Sequence, residues 1–189
     1  MAHEFTTSYL KDSLDLLRYY KGLAERAMAQ TPDEAFSKSL GAESNSIAVI
    51  VKHLAGNMRS RFTDFLTSDG EKPDRNRDGE FEAPPKTRAE VMELWEAGWE
   101  CVFSALAPLS EADLIRTVSI RTEPHSAMQA INRQIAHYCS HLGQIIFLAK
   151  HFAGDQWQAV TVPRGTERDL VVELVSGPEP EDGGGGGGD

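Results

Sequence analysis

The chain has 189 residues, 40% of them apolar and 25% charged, the makeup of one ordinary domain with a proper core. Its net charge of -10 argues against nucleic acid as the main partner and disfavours anionic membrane surfaces, since both want a basic face. No apolar run approaches the roughly 18 residues of a membrane span, and the opening Met-Ala-His-Glu-Phe lacks a basic-then-apolar signal, so a cytoplasmic protein is expected.

Four long segments carry helical periodicity. The first runs from about Glu4 to Gln30, with Tyr9, Leu16, Leu17, Tyr20, Leu23, Ala24 and Ala27 near one face, and Thr31-Pro32-Asp33 stops it. The second runs from about Ser44 to Leu66, with Ser44, Asn45 and Ser46 all able to cap its start. Its stripe is Ile47, Ile50, Val51, Leu54, Met58, Phe62 and Phe65. The third opens with the capping box Thr87 and Glu90 and carries Val91, Leu94, Trp95, Val102 and Leu106 to Pro108. The fourth runs from Pro124 or His125 to Phe152, striped with Ile131, Ile135, Tyr138, Leu142, Ile145 and Ala149, and Gly154 ends it. Four such helices without a sequence repeat predict an all-α four-helix bundle.

The connections bear on topology. Residues 67–86 are polar and Pro-rich, and extended they reach about 60 Å, well past the roughly 35 Å length of the helices they join. Helices two and three can therefore run parallel across a long crossover. Thr117 to Arg121 is at most a short extended stretch, and another strand is expected near Leu170 to Val175. The bundle domain is assigned to residues 1–175. The acidic, glycine-rich tail at 176–189 cannot bury anything and is expected to be disordered.

Cys101 and Cys139 need no disulfide in such a chain and are read as small buried residues. Trp95 and Trp99 are read as core or as a dimer seam, with partner docking as a further reading.

Three histidines carry the chemistry. His137 and His141 are four residues apart, about 40° from each other on one helical face, and His53 lies on the second helix. All three fall on the flank of an apolar stripe, on the same rotational side. Helices two and four bring those flanks together if they run antiparallel, which a crossover followed by a turn back produces. Three imidazoles so placed can hold one divalent ion with open positions. The same pattern also suits half-exposed flank residues that never meet. Cys139 points about 160° away from His137 and cannot share their ion. His3, His125 and His151 are read as caps or surface residues. Asn57, Arg133 and Gln144 lie about one turn from the three histidines and are placed to orient imidazoles or a bound group; Arg133 alternatively pairs with an anionic ligand. Arg59 and Arg61, near the same rim, are read as solvated charges.

The run Ser46-Ile-Ala-Val-Ile-Val-Lys-His53-Leu-Ala-Gly-Asn57 resembles the first histidine segment of the DinB/YfiT-like metalloenzyme superfamily, and Ala136-His137-Tyr-Cys-Ser-His141-Leu-Gly-Gln-Ile145 resembles the second. The segments Arg61 to Pro73 and Gln129 to Arg133 look like one uncharacterised bacterial branch of it. The resemblance spans roughly residues 5–152. It implies an up-down-down-up four-helix bundle with a crossover between helices two and three, and a divalent metal, commonly nickel or zinc, on His53, His137 and His141. It further implies a low-molecular-weight thiol such as bacillithiol or mycothiol as co-substrate, and a homodimer. Nothing here matches the extra domain of the mycothiol-dependent isomerases.

The expected function is a metal-dependent enzyme acting on a small molecule, as a small-thiol transferase working on electrophiles or as a hydrolase. A non-catalytic metal- or ligand-binding bundle is the alternative. His137 is followed by Tyr138, so the general base of a His-Glu-x-x-His motif is missing, which favours the transferase. No catalytic residue beyond the metal ligands is legible.

Overall fold

Side-chain caps set where the helices begin in the computed structural model of this chain, which describes residues 7–163. Ser8 accepts the backbone N–H of Lys11 to open α1 (Tyr9–Ala29), and Ser46 accepts that of Val49 to open α2 (Ile47–Phe62). Thr87 and Glu90 form the predicted capping box of α3 (Arg88–Leu106). Ser126 and Gln129 form another at the start of α4 (Ala127–Ala153). Each such cap contributes about 1 kcal/mol by satisfying an N–H that the first turn leaves open.

The apolar stripes supply most of the core, although Leu16 is exposed and Tyr9, Tyr20, Leu94 and Ile135 are half-buried. All seven residues of the second stripe are buried, six of them on α2, together with Val91, Trp95, Trp99, Val102 and Leu106 of α3 and Ile131, Tyr138, Leu142, Ile145 and Ala149 of α4. The helix α2 packs chiefly on α3, and α1 packs on α4, while α2 also meets α4. Gly98 permits the close approach of α3 to α2: a Cβ there would stand 3.0 Å from the Cα of Ala55. Both tryptophans are interior, and Trp95 donates to Glu25 Oε1 at 3.0 Å. That burial removes the reading in which an exposed tryptophan docks a partner. Among the described residues no helix is long and apolar enough to cross a membrane.

Several boundaries differ from expectation. The second helix ends at Phe62 rather than Leu66, because Thr63 turns extended and Asp64 adopts φ 49°, a left-handed conformation no helix continues through. Phe65 is buried all the same, its ring tilted against that of Phe62 with centroids 5.3 Å apart. The two cysteines are half-buried rather than core. The strand expected at 170–175 and the tail at 176–189 lie outside the described residues.

The chain is not purely helical. Between α3 and α4 stands an antiparallel hairpin of β1 (Thr117–Ile120) and β2 (Glu123–Ser126), with Val118 opposite His125 and Ile120 opposite Glu123. It takes up the first residues assigned above to the fourth helix. Its turn residues Arg121 and Thr122 have φ of 55° and 66°, the geometry of a tight hairpin turn usually made by Asn-Gly. Asp69, from the α2–α3 connection, stabilises this turn by accepting both backbone N–H groups at 2.9 and 2.7 Å. Gly70 N donates to Ser119 O at 2.8 Å, so the connection runs along the hairpin instead of hanging free.

Left-handed backbone at a non-glycine residue costs roughly 1 kcal/mol or more. Thr122→Gly should therefore raise stability by about 1 kcal/mol, read as a higher urea midpoint. A lower midpoint would mean that the Thr122 side chain stabilises the turn more than its conformation strains it.

Candidate metal centre

Three imidazoles meet where α2 faces α4. One ring nitrogen from each of His53, His137 and His141 lies within 4.8 Å of the other two. It is the one group of histidine, cysteine or carboxylate side chains placed to share an ion among the described residues. Cys139 is outside it. The ring centroids stand 5.4, 5.0 and 4.8 Å apart for the pairs 53–137, 53–141 and 137–141, and all three pairs meet edge to face. His125 sits on β2, bonded to the carbonyl of Glu123, and His151 is exposed in the last turn of α4. His3 is outside the described residues.

Hydrogen bonds fix which nitrogens are left open. His53 Nδ1–H donates to Glu80 Oε2 at 2.9 Å, and His141 Nδ1–H donates to Gln144 Oε1 at 3.1 Å. Each of those imidazoles thereby presents Nε2 as a lone pair. His53 Nε2 faces His137 Nε2 at 3.4 Å. Two nitrogens bound to one tetrahedral zinc at 2.0–2.1 Å lie about 3.3 Å apart, so this pair already has the spacing of ligands to a common ion. An acceptor pair at that distance is otherwise served only by a weak N–H···N bond. The donor set therefore fits a divalent ion of borderline softness.

The electrostatics favour neutral rings at His137 and His141. Burial, then the neighbouring imidazoles of His141 and His53, lowers the pKa of His137 from 6.5 to about 4. Burial likewise lowers His141, against the opposing hydrogen bond to Gln144. Neutral imidazole is the metal-binding form. A second consequence concerns stability. The folded protein takes up the His137 proton only near pH 4, whereas an unfolded histidine takes it up near 6.5. The metal-free protein should thus lose stability as pH falls from about 6.5 toward 4. Urea midpoints across that window test this, with His137→Gln expected to flatten the curve; parallel curves would contradict the assignment.

The carboxylate behind His53 comes from the connection between α2 and α3. Residues 78–80 form a 3-10 turn that places Glu80 against α2. Glu80 is buried, and Arg75 grips it through Nε at 2.8 Å and Nη2 at 2.9 Å. Burial alone would raise the Glu80 pKa, but the bonds from His53 and Arg75 outweigh it and hold the carboxyl below its ordinary range. The next residue, Phe81, stacks on the His53 ring with centroids 4.8 Å apart and planes 29° apart. Lys52, one residue before His53, ties the segment down by donating to the carbonyls of Gly79, Glu82 and Ala83 at 2.7, 2.6 and 3.2 Å.

The other residues singled out from sequence take varied places. Gln144 meets His141 as described. Asn57 is buried and accepts from the Tyr138 hydroxyl at 3.2 Å rather than from an imidazole. Arg133 is exposed and lines the cavity above the histidines. Arg61 is not a solvated charge: it is buried and donates to Gly70 O and, at 3.0 Å, to Glu71 Oε2. That cavity measures about 300 Å³.

The family described as "Protein of unknown function (DUF1572)" matches residues 4–166, a span that includes every helix among the described residues together with His53, His137 and His141. The chain belongs to the DUF1572 family. No curated protein and no solved structure matches this DUF1572 chain.

Proposed function

We propose that this DUF1572 protein is a divalent-metal-dependent enzyme whose ion is held by His53, His137 and His141. The observation that carries the reading is the convergence of three imidazole nitrogens within 4.8 Å, with His53 held by Glu80 and His141 by Gln144 through Nδ1, which leaves Nε2 of each open to an ion. A structural zinc site normally has four protein ligands, and this group offers three, which leaves room for chemistry. An ion bound there would lower the pKa of a thiol or a water and supply an ionised nucleophile near neutral pH.

Of the two reactions, transfer of a small thiol to an electrophilic small molecule is preferred. None of the residues lining the cavity is an aspartate or glutamate, and Glu80 is committed to His53 and Arg75. A water nucleophile calls for a base to take its proton during attack, whereas an ionised thiol needs none. The resemblance of the two histidine segments to DinB/YfiT-like metalloenzymes supports the same reading, with nickel or zinc as the metal. It also supports an up-down-down-up order for the four helices, with the 63–87 connection as the crossover.

Elemental analysis of untagged full-length protein beside His53→Ala tests the metal reading. Near one divalent ion per chain is expected in the wild type and a sharp fall in the variant, with helicity retained because the apolar core does not depend on the ion. No ion in either protein after reconstitution with zinc or nickel would leave the histidines as a polar flank.

A further inference from the structure

The cavity over the three histidines is markedly basic in a protein of net charge -10. Arg61, Arg75, Arg77, Arg121 and Arg133 all line it. Three of them are tied into the fold. Glu71 binds Arg61 and Arg121, each at 3.0 Å, and Arg75 at 3.2 Å, and Glu80 takes the remaining nitrogens of Arg75. Two carboxylates thus serve three guanidiniums.

Arg77 and Arg133 have no carboxylate partner among the described residues. Arg77 lies over the Phe81 ring, 5.8 Å from its centroid, and the same ring stacks on His53. Arg133 is one helical turn before His137, about 6 Å along α4. Both are exposed and line the cavity, Arg133 on the helix that carries His137 and His141 and Arg77 in the α2–α3 connection that supplies Glu80.

We infer that this cavity binds an anionic small molecule, with Arg77 and Arg133 gripping a carboxylate or phosphate group while the rest of the ligand extends toward the three histidines. Guanidinium is the side chain suited to this task, since its planar fork matches both oxyanions. The concave shape focuses the positive field and raises the local concentration of anions despite the acidic chain. The inference deepens the reading of this cavity as a substrate site, and it assigns the substrate or thiol co-substrate an acidic group.

The test uses metal-free full-length protein, so that its result does not depend on the ion. Succinate and inorganic phosphate are titrated by calorimetry into the wild type, the Arg77→Gln/Arg133→Gln double variant and Arg59→Gln, an exposed arginine outside this cavity. Saturable binding of at least one probe is expected in the wild type, weakened tenfold or more in the double variant and unchanged in Arg59→Gln. The tighter probe identifies the oxyanion. Metal content of the double variant should match the wild type after reconstitution. Absence of saturable binding of both probes, equal binding by the double variant, or an equal loss in Arg59→Gln would each overturn the proposal. A wild type that binds the anion but no metal would overturn the metal reading alone.

Discussion

Glu80→Ala should weaken zinc binding by about 10- to 100-fold, the usual effect of removing a carboxylate that orients a ligating histidine. The substitution frees the His53 ring to rotate and to change tautomer, so Nε2 no longer faces His137 as a fixed lone pair. The same change should destabilise the metal-free protein. Breaking a buried ion pair costs roughly 3–5 kcal/mol because the surviving charge is left unmatched. Here the cost should fall near 3 kcal/mol, since Arg75, whose side chain is 4% exposed, keeps a second carboxylate in Glu71. Glu80→Gln separates the two effects. It retains an acceptor for His53 but not the charge opposite Arg75, so zinc affinity should recover more than stability does. A chelator-competition titration and urea unfolding of the three metal-free proteins read both quantities. Zinc affinity unchanged in Glu80→Ala would mean that packing against Phe81 alone orients His53.

Glu80 also marks where the sequence stopped being legible. The helices, their stripes and the Thr87 capping box follow from apolar periodicity and local hydrogen bonding, which adjacent residues encode by themselves. The convergence of His53 with His137 and His141 was accessible for a related reason, because helical angle converts spacing into direction. The connection at 67–86 has no such period. Its Asp69, Glu71, Arg75 and Glu80 look like any solvated loop until the backbone folds Asp69 onto the hairpin turn and Glu80 onto His53. The hairpin was obscured because its turn is Arg121-Thr122, which lacks the glycine or asparagine that announces left-handed backbone. Ser126 and Gln129 did carry a signal, the spacing of a capping box, which places the start of α4 at Ala127 rather than at Pro124. Arg61 reads from sequence as a solvated charge because a long charged side chain at a helix end is ordinarily hydrated, and only the fold buries it against Gly70 and Glu71. One further residue hinted at the arrangement. Gly56 sits in the interior of α2, where glycine costs about 1 kcal/mol relative to alanine, and a glycine kept there implies a close neighbour.

That neighbour is the Glu80 side chain. A Cβ on Gly56 would overlap the Glu80 Oε1 and Cδ atoms and lie 3.0 Å from its Cγ. The carboxylate is held from two other sides, by His53 and by Arg75, and cannot swing away without losing one of them. Gly56→Ala should therefore destabilise the protein by about 1–3 kcal/mol, the range for forcing a methyl group into a packed interior, and weaken zinc binding in the same direction as Glu80→Ala. The decisive measurement is the double-mutant cycle. With Glu80 truncated, the added methyl meets open space, and the helix propensity of alanine should make Gly56→Ala neutral or stabilising by up to about 1 kcal/mol. The effects of the two substitutions should then be strongly non-additive. Additive losses of stability would show that Gly56 is needed for some contact other than Glu80, and that the connection reaches the histidines by a different route.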